Sequence, residues 1–95
     1  GQVPLAASVD GARLFPNPYR TARDGYVTLD NIPGGSRVRI FTLNRELVLD
    51  QIANGAGVLT WSGTNGAGRP VASGLYLVMI ESNGSKKILK LSLIR

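Results

Sequence analysis

Neither cysteine nor histidine occurs in this 95-residue chain. Their absence removes thiol nucleophiles, disulfides, zinc sites built from the usual ligands and imidazole acid–base pairs together. Acidic residues are scarce, with only Asp10, Asp24, Asp30, Glu46, Asp50 and Glu81 present. A glycosidase would need two of them facing each other across about 5 to 9.5 Å. A domain this small seldom holds such a cleft, so solvation or surface pairing is expected of all six. Aromatics are few as well: one Trp, three Tyr and two Phe. No apolar run approaches the roughly 20 residues of a membrane-spanning helix, and no signal-peptide pattern opens the chain as given. These absences exclude most enzyme chemistry, and no enzyme activity, cofactor or metal is expected.

What is present points to short strands. The chain is 43% hydrophobic and 18% charged, with twelve glycines and five prolines, a balance that suits one domain of strands separated by turns. Its net charge of +5 favours anionic partners. The Lys and Arg residues are nevertheless scattered and form no long basic run, which reads as a solvated surface and not as a nucleic-acid footprint.

Residues 1–11 read as a linker from an upstream segment, with Gly1 a remnant of expression, and 12–95 as the folded domain. A short strand from Ala12 to Phe15 stops at Pro16-Asn17-Pro18, where two residues lack backbone donors. Tyr26 to Ile32 alternates Val27 and Leu29 against Thr28 and Asp30, and Ser36 to Leu43 alternates Val38 and Ile40 against Arg37, Arg39 and Phe41. Both patterns describe strands with one wet face, and the two arginines would share one exposed side. Leu43-Asn44-Arg45-Glu46 reads as a tight two-residue hairpin leading into a strand over 46–52. Ala53 to Gly57 is a connection of small residues, and no internal repeat or low-complexity tract is evident.

Val58 to Ile80 then reads as strand, loop, strand. Trp61 alternates with Leu59 on an inward face and is expected in the core instead of stacking a sugar. The loop from Ser62 to Gly68 has no carboxylate for calcium and no Gly-Lys-Ser/Thr ending for phosphate, so it reads as a structural turn. Asn83-Gly84 is a strong hairpin signal. In the last strand, Ser85 to Ile94, alternation sends Leu89 and Leu91 to the core with Leu93, and Lys90 to the outer face. Seven strands, no helical period and turns every 8 to 12 residues predict an all-β, immunoglobulin-like (fibronectin III-like) antiparallel sandwich.

Several of these features occur together in one known family. Pro16-Asn17-Pro18, Trp61-x-Gly63-x-Asn65, Val71-Ala72-Ser73-Gly74-Leu75-Tyr76 and the lysine-flanked last strand resemble the immunoglobulin-like domain shared by flagellar hook-capping proteins and the C-terminal sorting domains of type IX secretion substrates. The likeness covers Leu14 to Arg95. Ser62 and Arg45 depart from it, standing where the family often has Asp and Gly. The resemblance implies a domain at the end of a secreted or cell-surface bacterial protein that serves as an address for the secretion machinery. It also implies that Gly74 and Tyr76 match a Gly-x-Tyr element, and Lys87 and Lys90 a Lys-x-x-Lys element.

On that basis the candidate recognition residues are Gly74, Tyr76, Lys86, Lys87 and Lys90. The three lysines suit two roles, gatekeepers against edge pairing or contacts for a partner, and the resemblance favours the second. Expected partners are secretion or cell-surface assembly proteins and an upstream cargo domain of the same chain, with weak edge-strand pairing as the route to any dimer. A hook-cap building block, or a carbohydrate-binding accessory module of a secreted hydrolase, would be the competing readings. The second of these requires an exposed aromatic strip.

Overall fold

The computed structural model describes residues 8–95. It comprises β1 (Arg13–Phe15), β2 (Tyr19–Arg20), the single-turn helix α1 (Thr21–Asp24), β3 (Val27–Asp30), β4 (Arg37–Thr42), β5 (Leu47–Ile52), β6 (Leu59–Trp61), β7 (Gly74–Ser82) and β8 (Ser85–Ile94). One sheet has the order β1-β3-β6 and the other β2-β8-β7-β4-β5. Alternating residues of both sheets meet in a single core that holds Leu29, Val38, Ile40, Trp61, Val78, Ile80, Leu91 and Leu93. The result is an immunoglobulin-like sandwich, stabilised by apolar burial at about 25 cal/mol per Å². Leu59 also lies in this core, whereas Leu89, expected beside it, is only half-buried at its margin.

The fold departs from the sequence reading at several points. The described residues form eight strands rather than seven, because Tyr19 and Arg20 pair with Leu93 and Ile94, and this pair is parallel. A four-residue helix follows where none was expected. Its Asp24 carboxylate accepts the Arg20 N–H at 2.8 Å, and local bonding of this kind needs no apolar period to announce it. Of the expected linker, residues 1–7 lie outside the described residues, and Val9 is fully buried in the core. The packed unit therefore includes residues before Ala12.

The β4–β5 connection is a three-residue loop and not a two-residue one. Arg45 N–H donates to Thr42 O, and Thr42 N–H to Glu46 O, both at 2.9 Å. Only Arg45 has positive φ, at 66°. This is a type I turn closed by a left-handed residue, a position that glycine fills at least cost. Beyond it the register slips between Ile40 and Phe41. The bulge lets the consecutive residues Val48 and Leu49 both point inward, which alternation alone would forbid. By contrast, Asn83 and Gly84 both have positive φ, at 51° and 79°, and close the β7–β8 hairpin as the sequence predicts.

The structure also reveals a repeat that the sequence reading passes over. Asn54-Gly55-Ala56-Gly57 and Asn65-Gly66-Ala67-Gly68 form the same loop. In the first, Asn54 Oδ1 accepts the N–H groups of Ala56 and Val58, each at 3.0 Å. In the second, Asn65 Oδ1 accepts those of Ala67 at 2.9 Å and Arg69 at 3.0 Å. The fourth residue of each returns its N–H to the asparagine carbonyl, with φ of 73° at Gly57 and 79° at Gly68. Their surroundings differ. A Cβ on Gly57 would lie 1.8 Å from Ile32 O, whereas one on Gly68 would meet nothing within 4 Å.

That difference makes the two loops controls for each other. Gly68→Ala should cost about 1–2 kcal/mol, the expense of a left-handed alanine. Gly57→Ala should cost clearly more, because the Ile32 carbonyl must also be displaced. Arg45→Gly relieves the same strain and should stabilise the domain by about 0.5–1 kcal/mol. Urea denaturation of the three variants measures all of these, and equal losses for the two alanines would contradict the close approach at Gly57.

Candidate functional site

Cross-strand register arranges the outer face of the five-stranded sheet in rows. One row runs Ile52, Arg37, Glu81, Lys86; the next Asp50, Arg39, Met79, Ile88; the third Leu47, Phe41, Leu77, Lys90. Charged side chains collect at the turn end of the β7–β8 hairpin and apolar ones toward its middle. Among these apolar side chains Ile88 is 54% exposed and Leu47 57%, while Phe41, Leu77 and Met79 are half-exposed. Phe41, Leu77, Met79 and Ile88 line a hollow of about 360 Å³ with Arg45 at its edge.

The basic strand face expected of Arg37 and Arg39 does not exist as such. Arg37 grips Asp50 with two hydrogen bonds of 3.1 and 2.7 Å, and Arg39 pairs with Glu81 across β4 and β7. The two carboxylates of this face are thereby engaged. The ammonium groups of Lys86 and Lys90 form no ion pair among the described residues. The outer surface along β8 is consequently cationic.

The candidate recognition residues are not brought together. Lys86 and Lys90 share the outer face with Ile88 between them. Lys87 has the opposite parity and lies on the inward side with Leu89, half-buried. Gly74 is exposed at the start of β7. Tyr76 is 6% exposed, its hydroxyl donating to Ala72 O at 2.6 Å and its ring meeting Trp61 edge-on at 5.9 Å. Burial raises the phenol pKa of Tyr76, offset in part by the nearby Arg95 charge. Tyr76 is therefore a core residue and offers no ring to a partner. Trp61 is 4% exposed, and its indole N–H donates to Thr64 O at 2.6 Å.

The edges of this sheet are closed in different ways. At β5, Gly66 N–H donates to Val48 O at 3.0 Å, so the second asparagine loop covers part of that edge. At β8, the short strand β2 covers Leu93 and Ile94. Asn17 extends this cover with its side chain: Nδ2 donates to Lys90 O at 2.8 Å, and Oδ1 accepts from Ser92 N–H at 3.1 Å. The amide thus does what a further strand residue would do, while the flanking Pro16 and Pro18 have no N–H to offer. From Ser85 to Leu89 no described group pairs with the outer edge of β8.

Sequence reasoning missed Asn17 and the apolar face. For the face a signal was available: in β7, Leu75, Leu77 and Met79 are apolar on one parity while Tyr76, Val78 and Ile80 are apolar on the other. A strand apolar on both sides of a sheet whose core covers one of them leaves an apolar outer face.

No family model matches the sequence, and no curated protein matches it. By fold, the chain is similar to a portion of PorZ, an essential bacterial surface component of the type-IX secretion system of Porphyromonas gingivalis. That likeness has a TM-score of 0.81 and 26% identity over 96% of this chain. It is also similar to a portion of dimeric latent PorU from the same organism, with a TM-score of 0.59 and 25% identity over 87% of this chain. The chain spans only 12% of the one and 9% of the other. Its sandwich is thus a domain-sized module of a kind carried within a much larger secretion-related protein.

The Arg37 fork, chiefly by hydrogen bonding, holds the Asp50 carboxyl below the ordinary aspartate value of 3.8. A depressed folded-state pKa contributes stability above the unfolded value, and this is lost as pH falls through the folded one. In a carboxyl ¹³C titration, Asp50 should titrate below 3.8 and return toward the ordinary aspartate range in Arg37→Gln. An unchanged Asp50 midpoint would show that the fork does not persist in solution.

Proposed function

We propose that this chain is a non-catalytic sorting or attachment domain of a secreted or cell-surface bacterial protein, recognised by type IX secretion machinery. The observation that carries the reading is the fold likeness to PorZ, which extends over 96% of this chain but only 12% of the larger protein. On this reading the module acts by being bound, as a passenger or attachment point within a larger chain. The features of the surface agree with that role: exposed and half-exposed apolar side chains on one sheet face and, among the described residues, two lysines outside any ion pair and a stretch of unpaired strand edge. The remainder of such a protein would be cargo or a partner module in the same chain. The carbohydrate reading loses its principal ring, because Trp61 is in the core.

The test is export. The whole chain, Gly1 to Arg95, is fused behind a periplasmic reporter in a host with a type IX system. It is compared with the reporter alone and with a fusion carrying Leu91→Asp. Leu91 is fully buried, so the aspartate should unfold the sandwich. Surface delivery is expected only with the intact domain, and retention in the periplasm for the other two. Equal delivery of the reporter alone would overturn the proposal. Removing β8 outright is less informative, since it also strips Leu91 and Leu93 from the core.

A further inference from the structure

The open part of the β8 edge has a pattern that specifies an occupant. Lys90 O and Ser92 N–H both point away from β7, since Asn17 engages them from the outer side. Peptide groups alternate in direction along a strand, so the N–H and C=O groups of Lys86 and Ile88 point the same way. No described residue engages them. The side chains of the same residues stand on the outer face as Lys86, Ile88, Lys90, an alternating cation, apolar, cation series.

We infer that this edge accepts one extended segment of a partner protein bearing the complementary series, acid, apolar, acid, at alternate positions. The inference refines the proposed function by stating what the recognised surface would bind. Backbone hydrogen bonding to Lys86 and Ile88 would add a strand to the sheet. On the outer face an acidic side chain would lie opposite Lys86 and another opposite Lys90, with an apolar side chain between them extending the row Met79, Ile88. The series reads the same in both directions, so parallel and antiparallel addition both satisfy it.

Charge selects this partner against a second copy of the chain. An antiparallel pairing of two β8 edges centred on Ile88 would set Lys86 of each opposite Lys90 of the other. Like charges directly opposite on neighbouring strands repel. The lysines therefore act at once as guards against self-pairing and as contacts for an acidic strand. Asp50 and Glu81, the carboxylates of this sheet face, are already bonded to Arg37 and Arg39 and leave the β8 lysines available.

The experiment titrates the ¹⁵N-labelled full chain with the peptide Gly-Thr-Glu-Thr-Ile-Thr-Glu-Thr-Gly. Two controls are used: the peptide with both Glu replaced by Lys, and a version N-methylated at alternate amides in two registers. Amide shifts should concentrate on residues 85–90. The Glu peptide should bind about tenfold or more tightly than the Lys peptide, and at least one N-methylated register should lose binding. The variant K86E/K90E, checked for its native spectrum, should reverse the preference between Glu and Lys peptides. Shifts centred on Phe41 and Leu77 or on β5, equal affinity for the two peptides, or no shift at millimolar peptide would each overturn the inference. Binding needs no export host, so an edge that binds in a domain that does not direct export would separate this inference from the proposed function.

Discussion

A buried peptide group must find a hydrogen-bond partner, and in this sandwich four asparagine side chains bond backbone groups that the strands leave unpaired. Asn17 covers the β8 edge between two prolines, Asn54 and Asn65 each gather two loop N–H groups, and Asn31 donates to Gly11 O at 2.8 Å. A chain with twelve glycines and five prolines has long stretches without regular pairing. Their backbone would otherwise be left to water, with each net bond forgone worth about 0.5–1.5 kcal/mol. The short asparagine side chain carries a donor and an acceptor at the reach of a peptide group and so completes these connections locally.

Arg95 performs the same service at the far end of the sheet. Its guanidinium donates to the carbonyls of Val71 and Gly63, and its backbone N–H donates to Ser73 Oγ at 2.9 Å. The end of β8 is thereby fixed to the segment that leads from β6 into β7. Gly63 has positive φ, 76°, and a Cβ there would come within 3.1 Å of the Arg95 guanidinium. The two ends of the glycine-rich loop after Trp61, at Gly63 and Val71, are therefore held together by one arginine.

Most of the strand framework was legible in the sequence because period-two alternation and Asn-Gly turns are local signals. Val38 and Ile40, or Leu91 and Leu93, announce their buried face without reference to the rest of the chain. The parts that were not legible depend on distant partners. Val48 and Leu49 both turn inward only because β5 bulges against β4, and nothing in the residues from Leu47 to Ile52 marks the slip. Tyr19 and Arg20 become a strand only because Leu93 and Ile94 lie beside them. Tyr76 matched a family motif, but its buried ring and its bond to Ala72 O are consequences of packing. Of the candidate recognition surface, the lysines were visible, while their separation onto two faces follows from parity within β8, and the apolar neighbours come from β4 and β7.

The parallel pair between β2 and β8 joins Tyr19 to Leu93 across most of the chain. Its closure entropy can be recovered only once Leu93 and Ile94 are in place. The domain is therefore in effect a latch whose bolt is the last of the described strands. Until β8 emerges, β7 lacks its longest neighbour, the core lacks Leu91 and Leu93, and Asn17 has no edge to cover. In a chain delivered in order from its first residue, β1-β3-β6 and β4-β5 have their partners early, whereas the strand that ties Tyr19 into the larger sheet is supplied only with β8.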